Sequence, residues 1–284
     1  MKVRIVVGST ADLLPEYQAQ VSVVPLTVHF GDQEYVDGVT IDHKEFYNKL
    51  VESDVMPTTS QPTPDAYAQV FREAQAAGEQ VVVLAVASNL SGTCQSAMIA
   101  AADFPGMVWV VDTKTVAIGE AILAELAIKL RDEGLSAPEI AARLEQERDR
   151  VHVIALLDTL EYLKKGGRIS KTAAIAGGIL SIKPVLAIRD GEIVILGKAR
   201  GSKQGNNLLV SEIEKAGGVD FDKPVMLGYT GLSDALLEKY VLDSGALWDG
   251  HGDCIRSTII GSVIGTHAGP GAIAVAFFSK SVSC

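Results

Sequence analysis

The stretch VVVLAVASNLSGTCQSAMIAAADF, residues 81–104, decides the fold of this chain of 284 residues. It opens with an apolar run rich in β-branched residues, which is typical of a buried strand, and passes through a polar turn into a small-residue helical pattern. In front of the helix start at Ser91, Gly92 and Thr93, unpaired N–H groups converge with the positive end of the helix dipole. This arrangement favours an anion, so the turn is the first candidate site.

Two patterns of elements surround this unit. Up to residue 150 strands alternate with helices, which predicts a mainly parallel sheet with helices on its faces. The second half holds about three helices and six strand-like runs, at 152–158, 184–189, 192–198, 224–229, 254–260 and 272–278. It predicts a six-stranded, mainly antiparallel or mixed sheet with helices on one face. The fold class is therefore α/β, with an N-terminal α/β domain over 1–151 and a C-terminal α+β domain over 152–284.

The composition is that of a soluble globular protein, with 48% hydrophobic and 21% charged residues. No apolar run reaches the ~18 residues that indicate a membrane span, and the first four residues lead directly into a strand rather than a signal sequence. We therefore expect a cytoplasmic protein. The net charge of −10 argues against a general nucleic-acid binder.

Metal and disulfide chemistry is not indicated by the sequence. Cys94, Cys254 and Cys284 are widely spaced and contain no CxxC pair, which fits neither a disulfide framework nor a zinc site. His29 and His43 have no partners at metal-ligand spacing, so we interpret them as ordinary structural or surface histidines. No metal is predicted.

One segment is basic within this acidic chain. Residues 164–203 contain nine lysines and arginines against two acidic residues, which gives a local charge of +7. The remaining 244 residues carry −17. The charge is therefore unevenly distributed along the chain, and one interpretation of the basic segment is a solvated face.

Familiar catalytic motifs are not matched. The glycine-rich stretch at 269–274 is followed by a strand pattern rather than a helix, which argues against a dinucleotide fold there. The chain has no GxSxG, HExxH or kinase motif set. Ser9, Ser60 and Ser91 are candidate nucleophiles, but nothing in the spacing supplies a base and an orienting acid.

Small hydroxyl donors in turns and one histidine remain as site candidates. Thr59 and Ser60 lie just before the predicted helix at 64–77, and His267 lies in a glycine- and proline-rich stretch that we expect to be irregular backbone. Together with Ser91 and Thr93 they suit a site that donates several hydrogen bonds to a carboxylate or a phosphate without a cationic cage. Taken alone, His267 fits a structural role as well.

Five motifs, in order along the chain, resemble those of the DegV family. They are TSQPTP at 59–64, LSGTCQSA at 90–97, YLKKGGRIS at 162–170, IKPVLAIRDG at 182–191 and THAGPGA at 266–272. The resemblance runs from the first strand to the last of these motifs, which is nearly the whole chain. Members of this family are bacterial fatty-acid-binding proteins that serve fatty acid kinase.

The resemblance implies that a long-chain fatty acid, of about C14 to C18, lies in a tunnel between the two domains. Thr59 and Ser91 are then the leading ligands of its carboxylate. The supporting residues at the head group are Ser60, Gly92, Thr93 and His267. The protein is expected to be a non-catalytic carrier without a cofactor, which presents the carboxylate to a separate kinase for phosphorylation by ATP to an acyl-phosphate.

The resemblance also assigns a tail site and a partner surface. The small-residue helical pattern at 172–180 leaves room for an acyl chain, with Ile175, Ile179 and Leu180 as lining, although close helix-on-sheet packing explains each of them equally well. Contacts to the kinase or to the transferred phosphate are expected from Lys165, Arg168 and Arg200. Two positions depart from the family pattern, since Gly8 stands where Asp is common and Tyr229 where several members have His.

Two other classes of function stay open from the sequence. One is an enzyme, either a serine-dependent acyl hydrolase or a phosphotransferase that acts on a small substrate. The other is a regulatory sensor that changes its partner with lipid occupancy.

Overall fold

The computed structural model describes residues 2–169 and 182–280. The strands in these ranges are β1 (Lys2–Gly8), β2 (Ser22–Val24), β3 (Thr27–Phe30), β4 (Gln33–Val36), β5 (Thr58–Ser60), β6 (Glu79–Ala85), β7 (Val108–Asp112), β8 (Val151–Leu156), β9 (Ile182–Arg189), β10 (Glu192–Arg200), β11 (Met226–Tyr229), β12 (Ser257–Ile259) and β13 (Ile273–Phe278). The helices there are α1 (Pro15–Gln18), α2 (His43–Glu52), α3 (Pro64–Ala76), α4 (Thr93–Ala101), α5 (Ile118–Asp132), α6 (Ala137–Glu147), α7 (Glu161–Lys165), α8 (Gly201–Lys215), α9 (Ala235–Asp243) and α10 (Ser262–Ala268).

The first half forms a four-stranded parallel sheet in the order β2-β1-β6-β7, which confirms the prediction for this half. Apolar side chains of the central strands point to both faces, as a doubly covered parallel sheet requires. Helices α3 and α4 cover one face, where Phe71 and Ala97 pack against Val83. Helices α5 and α6 cover the other face, where Ile122 and Leu144 belong to the same core as Val82 and Leu84.

The second half forms a six-stranded sheet in the order β10-β9-β8-β13-β11-β12. All neighbouring pairs are antiparallel except β11 and β12, which confirms a mixed, mainly antiparallel sheet. The hairpin predicted at Asp190 and Gly191 joins β9 to β10, and both turn residues have positive φ. Helices α8 and α9 cover one face of this sheet through residues such as Leu209 and Tyr240.

Helix α5 of the first half covers the opposite face of the six-stranded sheet. Twelve of its 15 residues are buried, which requires cover on two sides. Its residues, Leu123 among them, share one core with Ile5 of the parallel sheet and with Val153 and Phe278 of the antiparallel sheet. The sequence pattern predicted helices on one face only, because it cannot show that a helix of the first half serves the second sheet.

A third, small antiparallel sheet in the order β4-β3-β5 lies beside these two. It packs with α2 and α10 around Phe46, Tyr47 and Val263. The sequence analysis placed Thr59 in a turn before the helix predicted at 64–77. Pairing of Val28 with Thr59 makes that turn a strand and fixes the direction of the Thr59 side chain.

The stretch around His267 differs from its prediction. Residues Ser262–Ala268 form the helix α10, which ends at Gly269 with φ of 71°. The expected irregular backbone is therefore wrong for His267, which lies in the last turn of this helix. A seven-residue helix with two glycines nearby gives too little periodicity to be recognised from sequence.

The proposed tail-lining residues Ile175, Ile179 and Leu180 lie outside the described residues. Within residues 2–169 and 182–280, none of the helices combines the length and the hydropathy needed to cross a bilayer.

Candidate functional site

A cavity of about 370 Å³ lies between the carboxyl end of the parallel sheet, one face of the six-stranded sheet and α10. This volume is in the range of small-molecule binding sites. Most of its wall is apolar and comes from the face of the six-stranded sheet that α5 also contacts. Representative wall residues are Val153, Ala155, Leu186, Ile188, Ile193 and Ala274. Its head-group candidates, by contrast, come from β5, from the turn after β6 and from α10.

The turn after β6 contributes Ser91 and Gly92 to the cavity lining. Gly92 is the N-cap of α4 and has no side chain to satisfy the first helical amides. Ser91 Oγ lies 2.8 Å from Thr93 Oγ1 and accepts from the Thr93 N–H at 3.3 Å. Thr93 itself is fully buried and does not line the cavity, so it holds Ser91 in place from behind.

Strand β5 and helix α10 bring Thr59 and His267 together. Thr59 Oγ1 and His267 Nε2 are 3.1 Å apart, and both residues line the cavity. The neighbouring Ser60 hydroxyl lies 2.7 Å from His29 Nε2 at a more exposed position of the lining. His29, which the sequence analysis interpreted as a structural or surface histidine, therefore contacts Ser60 at the candidate site.

The imidazole of His267 is neutral at physiological pH. Burial lowers the pKa of His267 to about 4, and the nearby positive charge of Arg168 acts in the same direction. Its Nδ1 atom is buried, has no hydrogen-bond partner among the described residues, and lies against Gly166, where an added Cβ would be 2.2 Å away. The ring is thus held between Gly166 and Thr59.

Arg168 is the cation of the site. Its side chain lines the cavity, donates from Nε to the Leu90 carbonyl at 3.3 Å, and donates from Nη1 to the Gly166 carbonyl at 2.7 Å. The sequence placed Arg168 on a partner surface and expected the head-group site to lack a cationic cage. The structure brings this guanidinium to the cavity, where its bond to Leu90 contacts the turn that precedes Ser91 and its bond to Gly166 contacts the turn after α7.

The other two residues assigned to the partner surface lie elsewhere. Lys165 is exposed on α7 and pairs with Glu161 at 2.6 Å. Arg200 is exposed at the N-cap of α8, where its backbone N–H donates to Gln204 Oε1 at 2.7 Å. Neither side chain lines the cavity.

Gln61 and Thr10 are among the polar lining residues that the sequence interpretation missed. Gln61 donates from Nε2 to Ser96 Oγ at 2.9 Å, a contact between the two head-group turns. Thr10 donates to Glu120 Oε2 at 3.2 Å. Burial raises the pKa of the Glu120 carboxyl well above its usual range, which favours its neutral form. The only sequence signals were the polar turn at 8–12 and the position of Gln61 beside Thr59 and Ser60.

The geometry does not form a hydrolytic triad. The partner of Ser91 Oγ is Thr93, and the partner of His267 Nε2 is Thr59. A catalytic histidine needs an orienting acceptor at its other nitrogen, and His267 Nδ1 has none among the described residues. In that part of the chain no group of three or more His, Cys, Asp and Glu side chains could hold a metal ion.

Comparison with known proteins places the chain in a family. The model of the family described as "Uncharacterised protein, DegV family" matches residues 2–280.

The chain belongs to the DegV family.

A DegV domain-containing protein of Deinococcus radiodurans is 35% identical over 282 residues, which cover 97% of this chain and 98% of that protein. The solved structure of a DegV family protein from Thermus thermophilus, described by its fatty acid binding, superposes with a TM-score of 0.87 at 32% identity. It covers 99% of this chain and 100% of that one. The Streptococcus pneumoniae Fatty Acid Kinase (Fak) B3 protein loaded with linoleic acid has the same fold, with a TM-score of 0.85, 22% identity, and coverage of 99% and 100%.

The family motifs meet at the cavity. TSQPTP carries Thr59, Ser60 and Gln61, LSGTCQSA carries Ser91, and THAGPGA carries His267. Residues far apart in sequence are thus joined at one wall of one cavity.

Proposed function

We propose that this DegV family protein binds a long-chain fatty acid in the cavity, with the carboxylate at Thr59 and Ser91. The observation that carries the proposal is the combination of an extended apolar wall with hydroxyl donors contributed by strand β5 and by the turn after β6. An apolar tail and one polar head group match that distribution. The similarity to the Thermus thermophilus protein, whose solved structure is described by its fatty acid binding, supports it.

Neutral donors and one guanidinium hold the head group in this proposal. A buried N–H without an acceptor is rare, so the His267 proton belongs on Nε2, from which it donates to Thr59 Oγ1. The Thr59 hydroxyl hydrogen is then free to point at the carboxylate. Ser91 lies in front of the N-terminus of α4, whose dipole favours a negative charge. Arg168 adds a formal positive charge at the cavity wall.

The tail supplies most of the binding free energy. Each CH₂ group removed from water contributes about 0.8 kcal/mol, so a chain of about C14 to C18 gains far more from the apolar wall than from any one hydrogen bond. The head-group residues then set the register of the chain and select a carboxylate. Ile175, Ile179 and Leu180 complete the tail site in this proposal.

The carrier role is the second part of the proposal. A separate kinase transfers the γ-phosphoryl group of ATP to one carboxylate oxygen of the bound fatty acid, which yields an acyl-phosphate and ADP. Lys165, Arg168 and Arg200 provide the positive charge toward this kinase or the transferred phosphate. The likeness in fold to a protein named for fatty acid kinase supports this role. The cytoplasm, where ATP is available, is the proposed location.

Extraction of the purified protein tests the ligand. Organic extraction followed by mass spectrometry should release a fatty acid of about C14 to C18. Protein that contains no lipid and takes up none from a solution of palmitate would refute the binding function. Incubation of the loaded protein with γ-labelled ATP alone should leave the fatty acid unphosphorylated, whereas acyl-phosphate formed by the isolated chain would identify an enzyme.

The variant Ser91→Ala tests the head-group assignment. Loss of one hydrogen bond to a charged group costs about 1.5–3 kcal/mol, so we expect Kd for palmitate to rise by about 10- to 100-fold. The exposed Ser233, whose Oγ accepts from the local Ala235 N–H, provides the matched control Ser233→Ala. Equal palmitate affinity of both variants, measured by fluorescence displacement, would show that Ser91 is not a ligand of the carboxylate.

A further inference from the structure

Gln61 links the two segments that carry the proposed head-group ligands Thr59 and Ser91. It follows Thr59 by two residues, and its Nε2 donates to Ser96 Oγ on α4 at 2.9 Å. Ser96 is almost fully buried, at 2% exposure, in the first turns of the helix that begins directly after Ser91. The bond spans 35 positions in sequence and joins β5 to α4.

The carboxamide of Gln61 also lies flat against Gly92. A Cβ added to Gly92 would come 2.0 Å from Gln61 Oε1 and 2.6 Å from its Cδ, so the Gln61 carboxamide would have to move. The backbone φ of Gly92 is −74°, which is open to any residue. A side chain at this position would therefore displace the Gln61 carboxamide without straining the backbone.

We infer that Gln61 is a positioning residue, which sets the spacing between the Thr59 and Ser91 hydroxyls so that both reach one carboxylate. The inference rests on the proposed fatty-acid binding. The hydrogen bond to Ser96 fixes the distance between β5 and α4, and the contact with Gly92 fixes how far the Ser91 turn approaches β5. Without the carboxamide the two turns move independently, and a displacement near 1 Å is enough to break a hydrogen bond.

A comparison of two ligands separates positioning from packing. Gln61→Met keeps the length and the apolar stem of the side chain but removes both polar contacts. We expect its Kd for palmitate to rise by about 10- to 100-fold, while Kd for the alcohol of the same chain length, which lacks the carboxylate, changes by less than about 3-fold. Gln75→Met, at an exposed glutamine of α3, is the control and should leave both values unchanged.

The outcomes distinguish this inference from the function on which it rests. Wild-type protein that fails to bind palmitate overturns the proposed function itself. Wild-type binding together with unchanged palmitate affinity in Gln61→Met, or with equal losses for acid and alcohol, overturns only the positioning role.

A double-substitution series tests the contact with Gly92 independently. Gly92→Ala alone forces the Gln61 carboxamide away and should weaken palmitate binding by about 10-fold or more. Gln61→Ala in the same chain removes the clash, so the double variant should bind palmitate no more weakly than Gln61→Ala alone. Losses that simply add in the double variant would contradict the inference, and thermal unfolding of each variant shows that it is folded.

Discussion

At the scale of single residues, His267 shows how burial selects the chemistry of a site. Its ring lies between Thr59 and Gly166, and both burial and Arg168 disfavour a second proton. A neutral imidazole can orient the Thr59 hydroxyl, whereas an imidazolium would add a strong charge to the head-group wall. The positive charge of the cavity is therefore carried by Arg168.

The pKa of His267 is directly measurable. NMR titration of the imidazole carbons should give a midpoint near pH 4, and Arg168→Ala should raise that pKa while burial, the larger cause, keeps it below the usual 6.5. Because the folded pKa is depressed, the unfolded chain binds more protons. The contribution of His267 to stability is therefore intact above about pH 6.5 and is lost as pH falls toward 4. A ring that titrates near 6.5 would show that the site is solvated.

Two candidate residues that line the cavity, Ser91 and Thr59, were singled out from sequence by a local signal. Each belongs to a polar stretch just before a helix, a pattern contained within ten residues. Gln61 could not be recognised, since its role depends on Ser96, which is 35 positions away. Arg168 was identified as basic, but only the fold shows that it lines the cavity.

At the scale of elements, helices that begin with a local cap can be predicted from sequence, whereas a strand that depends on tertiary pairing cannot. Thr63 caps α3 by accepting from the Ala66 N–H at 3.2 Å, and the Ser136 N–H donates to Glu139 in the capping box of α6, so each cap is formed by residues three positions apart. Strand β5 has three residues and exists because β3 pairs with it. A three-residue strand has no measurable periodicity, so tertiary pairing is its only cause.

Helix α5 packs so closely against its surroundings that one added methyl group should lower the stability of the protein. A Cβ added at Gly119 would lie 2.2 Å from Thr115 Oγ1 and 2.5 Å from Val153 Cγ2 of the facing sheet. Alanine is favoured over glycine in a helix by at most about 1 kcal/mol, whereas overpacking costs about 1–3 kcal/mol. We therefore expect Gly119→Ala to lower the free energy of unfolding by about 1–2 kcal/mol in urea denaturation.

The control for this prediction is Asn207→Ala, at an exposed position of α8, which should change stability by less than about 0.5 kcal/mol. If Gly119→Ala stabilised the protein, helix propensity would outweigh packing, and α5 would be less tightly held between the two sheets than the contacts indicate.

At the scale of the whole molecule, α5 and the cavity join the two halves. The fold class and the two sheets were predicted because the alternation of strands and helices gives way to a series of strands near residue 151. Strands and helices can be told apart in sequence by their different hydrophobic periods. The division into domains 1–151 and 152–284 stays a prediction. One continuous core nevertheless includes Leu123 of α5, Leu84 of the parallel sheet and Ile188 of the antiparallel sheet. Neither half can bury its apolar surface without the other.

This shared core predicts a single cooperative unfolding transition for the whole chain. Two independent domains would give separate transitions, or a calorimetric enthalpy larger than the van't Hoff enthalpy. Scanning calorimetry should instead show one peak with the two enthalpies equal. In the proposed function, free palmitate at 100 times its Kd adds about 2.7 kcal/mol of stability, which corresponds to a rise in Tm of roughly 4–5 °C. Because residues of both sheets line the cavity, the whole peak should move. A second peak that palmitate leaves in place would show that the halves unfold separately and that only one of them holds the ligand.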